Sequence, residues 1–251
     1  MARRKKIYRQ IYWNRILIGI MVCSLLVCGS VLFLIFRRQA QGTLNIAGLQ
    51  VFLVSTASHD TLLLANQNAA HIRGMGGAGF VLNDGTAFRT VVSSYRSRRD
   101  AELVANRLML EEGFEAEIFM RQVPNVRIPA SEQAQADELG AYFSFVLQAF
   151  DTLYRSVLDL DAQRILESHA LTILNRTRAT FAQKLFVLPN LAPYFEVFIP
   201  EIHELYSHIN RLFGEAMDLR FGTRLSGNIR YLKTAIIEGY YQMAVHFNVP
   251  A

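Results

Sequence analysis

Three groups of residues have the types and spacing to do chemistry. The hexapeptide GMGGAG, residues 74–79, has the G-x-G-x-x-G spacing of a dinucleotide-binding loop. His203, Glu204 and His208 lie together in EIHELYSHIN, near the H-E-x-x-H pattern by which a helix holds zinc. Arg96, Arg98 and Arg99 form a basic cluster that could meet an anion where a helix starts.

Each of these depends on the elements around it. A phosphate-binding glycine loop follows a strand and opens a helix, so that the helix N-terminus faces the phosphate. The periodicity here predicts the reverse, a helix ending at Gly74 and a strand beginning near Gly79. The glycines then read as a turn that needs positive φ. Histidines five apart sit about 140° around a helix from one another, whereas zinc needs them about one turn apart. They read as solvated. The arginine cluster sits beside Asp100 and Glu102 and reads as a solvated turn. His59, His71, His169 and His246 have no carboxylate–nucleophile arrangement near them. No catalytic residue, metal or cofactor is expected, and the chain reads as a non-enzyme.

The elements that would position any site begin after an apolar run. Residues 16–36, opening on Ile16 and closing on Phe36, are uncharged and roughly as long as the 20 residues that cross a bilayer. Six basic residues precede the run and two follow it, which places the N-terminus in the cytoplasm. A cleaved signal peptide would have a shorter apolar run, and a lipoprotein signal would have a small residue before Cys28, where Val27 stands. The expectation is an uncleaved anchor: residues 1–15 a cytoplasmic tail, 16–36 a transmembrane helix, 37–48 a linker, and the bulk extracytoplasmic. Eight positive charges precede residue 39 with no acid among them, so without them the net charge of +5 becomes −3. That balance argues against a nucleic-acid partner. Both cysteines, Cys23 and Cys28, lie in the apolar run, so the rest of the chain must hold itself together by its core.

Residues 49–126 contain two similar halves. LVSTASHDTLLLANQ (53–67) and VVSSYRSRRDAELVANR (91–107) each pass from a β-branched run through a polar turn into a helix. Strand and helix periods, Gly74 and Gly113 as helix stops, Ser97 as an N-cap and the NDGT turn (83–86) together give β-α-β-β-α-β. That order makes one antiparallel sheet with both helices on one face. Strict alternation puts Phe52, Val54, Phe88, Thr90 and Val92 under the helices. Val51, Leu53, Ser55, Arg89, Val91, Ser93 and Tyr95 then face away, on a surface able to stack on and hydrogen-bond an extended polymer. From residue 131 to 251 the pattern is helical, four or five helices packed as a bundle.

The segment FRTVVSSYRSRRDA (88–101) resembles the signature of SPOR domains, the sporulation-related repeat, in its spacing from aromatic to alanine. Tyr95, Ser97, Arg98 and Ala101 match; Thr90, Ser93 and Ser94 stand for the family's valine, glycine and proline. In the first half FLVSTA replaces the family's vQvGsF, so Leu53 stands for the glutamine and Ser55 for the glycine. The resemblance implies the same βαββαβ fold, of ferredoxin type, and binding of peptidoglycan glycan strands through the open sheet face. The candidate contacts are Leu53, Ser55, Arg89, Val91, Ser93 and Tyr95. It implies a bacterial envelope protein of the membrane, at division or sporulation septa, whose helical domain docks a partner or self-associates. The alternative is a non-catalytic envelope scaffold whose SPOR-like unit serves only protein–protein contact or packing within the chain, the helical bundle or a loop lying over its sheet face. The expected class is α+β with an N-terminal transmembrane helix and an all-α bundle.

Overall fold

The computed structural model describes residues 42–218 and 224–248. The chain is α+β, but the expected membrane span is corrected. Among the described residues no helix is long and apolar enough to cross a membrane, and residues 16–36 lie outside them. The single-pass topology, the membrane localisation and the extracytoplasmic placement all rested on that span, and no described helix supplies it. The two longest described helices fail on polarity rather than length. One carries Asp137, Glu138, Asp151, Arg155, Asp159 and Asp161, the other Arg230, Lys233 and Glu238. Each such charge costs about 2.5–3.5 kcal/mol at a bilayer centre.

The first layer is β1 (Gly42–Ile46), β2 (Leu49–His59), α1 (Leu62–Gly74), β3 (Phe80–Asn83), β4 (Phe88–Tyr95), α2 (Arg98–Glu111), β5 (Glu117–Val123) and β6 (Val126–Ala130). Four strands form an antiparallel sheet in the order β3-β4-β2-β5. Thr61 Oγ1 accepts from the Leu64 amide to start α1, and Ser97 Oγ accepts from Asp100 to start α2. Both helices lie close to the sheet because their inner positions are small: Ala65 and Ala69 on α1, Ala101 and Ala105 on α2. β1 and β6 were not foreseen. They pair with each other as a two-stranded ribbon, Leu44 opposite Ile128, so the stretch expected as linker holds a strand. Pro129 is tolerated in β6 because this ribbon is all edge.

The second layer is α3 (Gln133–Asp161), α4 (Glu167–Val187), a 3-10 turn (Leu188–Leu191), α5 (Ala192–Phe195), α6 (Ile199–Met217) and α7 (Leu225–His246). The buried positions of α3 and α6 recur every three or four residues, as in Leu139, Phe143, Val146 and Phe150. Phe181 of α4 sits between Phe145, Tyr206 and Phe213, with ring centroids 4.8, 5.0 and 5.6 Å away. Helix α7 is buried on every side from Leu232 to Glu238. It packs on α3 and α6 with one face and on β3, β4 and β5 with the other. One hydrophobic core therefore runs from the sheet through α7 into the bundle.

Candidate functional site

The sheet surface expected to face solvent is covered by α7. Leu53 is 1% exposed and Val91 0%, both in the core that α7 completes with Ile229, Leu232 and Ile236. Ser55 lies opposite Val91 on the same face, its Oγ buried without a hydrogen-bond partner among the described residues. An extended polymer has no access to any of them.

Ser93 and Tyr95 are on the other face, against expectation. β2 and β4 pair Val54 with Ser93 but Ser55 with Val91, leaving Val92 as an extra residue on β4. The next pair, Ala57 with Thr90, leaves Thr56 extra on β2 and restores the count. Such a bulge reverses the alternation beyond it. Tyr95 therefore points to the α2 side, buried with Ala101 and Ala105. Ser94 takes the α7 side in its place, its Oγ 3.0 Å from Thr234 Oγ1. Phe52, Val54 and Thr90 are on the helix side as expected; the Thr90 hydroxyl donates to the Ala65 carbonyl of α1.

Arg89 is on the α7 face but at its edge, with its guanidinium engaged. Its Nε donates to Asp84 at 2.5 Å and its Nη1 to Glu117 at 2.7 Å, and it lies 5.6 Å from the Phe119 ring centre. The hydrogen bond to Asp84 raises its pKa further. Asp84, in the NDGT turn, also accepts from Thr86 Oγ1 and from the Thr86 and Ala87 amides, and these donors hold its carboxyl far below the usual range. Of the six candidate contacts, three lie under α7, two lie on the opposite face, and Arg89 is held by two carboxylates.

The groups that sequence reasoning missed come from α7. Lys233 is fully buried; its ammonium donates to the Ser94 carbonyl and sits 4.9 Å from the ring centres of both Tyr95 and Tyr154. Burial pushes its pKa well down, Arg230 adds to the effect and Asp161 opposes it. Arg121 of β5 grips Glu238 of α7 with two hydrogen bonds of 3.2 Å and stacks 4.5 Å from the Tyr241 ring centre. Arg230 donates to the Gly76 carbonyl and is paired with Asp161 at the end of α3. The available signal was IRYLKTAIIEGYY (229–241), charges inside a stretch whose apolar residues cover every side of a helix.

The glycine loop is a structural contact. Gly76 and Gly79 have positive φ, +91° and +53°, whereas Gly74 closes α1 without it. A Cβ on Gly79 would lie 2.2 Å from the Ala69 carbonyl oxygen. The amides of Gly76, Gly77 and Ala78 donate to Arg73, Ile72 and Val92 carbonyls, so those three cannot cradle a phosphate. The loop instead abuts the first turn of α7, where a Cβ on Gly227 would meet Gly76 and Gly77 backbone atoms at 3.2 Å. His203 and His208 are both exposed, and the described residues contain no group of three or more His, Cys, Asp or Glu placed to hold a metal. Arg98 pairs with Glu102 at 2.8 Å and Arg96 with Asp151 at 3.7 Å. Where the α1–β3 loop, α2, α3 and α7 meet, a cavity of about 480 Å³ remains open to solvent. No protein-family model, no curated protein and no solved structure matches this chain.

Proposed function

We propose that the protein is a non-catalytic scaffold whose SPOR-like unit gives its sheet face to its own helical domain instead of to a glycan. The observation that carries this reading is the seating of α7 on β3, β4 and β5, with Leu53 and Val91 in the shared core. The contacts are specific as well as apolar: Lys233 to Ser94, Thr234 with Ser94, and Arg121 with Glu238. A face held this way acts as a fixed platform for the bundle.

The test is co-sedimentation of the full chain with amidase-treated sacculi. The expected result is the same pelleted fraction with and without sacculi. Saturable retention would overturn the scaffold reading. A chain carrying Ser94→Cys and Thr234→Cys, with Cys23 and Cys28 replaced by alanine, identifies the surface responsible. Retention lost on oxidation and regained on reduction would assign glycan binding to the sheet face.

A further inference from the structure

The cavity at the seam has a wall chemistry that packing alone does not account for. Val104 and Leu108 of α2 and Val157 and Leu158 of α3 make its apolar sides, and Tyr95, Tyr154 and Lys233 line it from within. Its volume of about 480 Å³ suits a small molecule. Lys233 is the unexplained group. It has a carbonyl and aromatic rings around it, which attract a cation, but none of them carries a negative charge. The ionisable groups facing it are Tyr95, Tyr154, Arg230 and Asp161, and Asp161 is already paired with Arg230. A buried ammonium without a counter-charge is costly, and an incoming anion removes that cost.

The rest of the lining limits what kind of anion fits. Arg224 makes no ion pair among the described residues, and Arg107 has only a loose contact with Glu111 at 3.9 Å. Glu111, Glu112 and Asp161 also border the cavity and repel a doubly charged group. We propose that the cavity binds a small monoanion, a carboxylate on an apolar or aromatic body, with the charge toward Lys233 and the body between α2 and α3. The site shares with the scaffold reading the seating of α7 on the sheet, and the two fail separately, one by small-molecule binding and the other by sacculus retention.

The probe is 2-naphthoate, titrated calorimetrically into the full chain, with the neutral 2-naphthalenemethanol as its counterpart. The expected result is one saturable site for the acid and affinity at least about tenfold weaker for the alcohol. Lys233→Met should remove that preference, and Leu158→Trp, which fills the mouth, should abolish binding of both. No saturable heat in the millimolar range, equal affinity for acid and alcohol, or full affinity in a folded Lys233→Met protein would each overturn the proposal. Should Lys233→Met fail to fold, Leu158→Trp decides: unchanged affinity there overturns the site.

Discussion

Replacing Lys233 by methionine should change how stability depends on pH more than it changes stability at any one pH. The side chain is 1% exposed and its folded pKa lies well below the ordinary 10.5. Below the folded pKa, both the folded and the unfolded chain hold the proton. Between that value and about 10.4, only the unfolded chain does, so stability rises with pH by up to about 1.4 kcal/mol per unit. The methionine variant has no such proton and lacks this rise. At the acid end of the window it gains from having no charge to bury. At the alkaline end the wild-type amine is neutral and still donates to the Ser94 carbonyl, a bond worth about 1 kcal/mol that methionine cannot make. The two stability curves should therefore cross. The neighbouring tyrosines do not confuse the reading from about pH 7 to about pH 9.5. Burial raises the pKa of both Tyr95 and Tyr154, which stay protonated. Urea midpoints at several pH values, with a shared m-value, supply the measurement. Parallel curves for the two proteins would refute the claim that Lys233 is desolvated between the layers.

Within the glycine loop, Gly79→Ala should destabilise by about 3 kcal/mol or more, because left-handed strain adds to overlap with the Ala69 carbonyl. Gly74→Ala, with open space around it, should stabilise by about 0.5–1 kcal/mol; urea unfolding of the pair checks both signs. Arg121→Met leaves Glu238, 8% exposed, with Gln242 as its remaining partner and should cost about 3–5 kcal/mol. Adding Glu238→Leu should recover most of that loss in a double-mutant cycle, and additive losses would contradict the pairing. Asp84→Asn removes a carboxylate whose pKa is held far down, so its contribution exists above the usual carboxylate range and fades as pH falls below about 4. Melting temperatures of the variant should be lower at neutral pH and flatter on the acid side.

The order β2-α1-β3-β4-α2-β5 was legible because each element carries its own local signal. Ser97 caps α2, Gly113 stops it at φ +70°, and Asp84-Gly85 turns the hairpin. The dismissal of GMGGAG as a cofactor loop rested on the order of flanking elements and agrees with its engaged amides. What local signals cannot carry is parity across an irregularity. One extra residue at Val92 sends Ser93 and Tyr95 to the opposite face, and nothing in VVSSY marks it. The covering of the sheet was legible only as one of two alternatives. Val51, Leu53 and Val91 are apolar whether an exposed face is meant for a ligand or for a helix of the same chain. The charges of α7 were the missed clue, since buried Lys233 and Glu238 need partners brought from far along the sequence.

The β1–β6 ribbon ties the two layers into one fate. The βαββαβ unit begins and ends on adjacent strands, and β6 leads within a few residues into α3, on which β1 also packs. Leu44 lies so close to Gly140 that a Cβ there would be 3.0 Å from it. The helical layer therefore has no free hinge at residue 131 on which to swing clear of the sheet. A cut at that point would leave residues 42–130 with Val51, Leu53, Val91 and Val123 stripped of α7, a bare apolar sheet prone to pair with itself. The sequence boundary between a sheet half and a helical half is thus no boundary for folding, and the two halves should melt in a single transition.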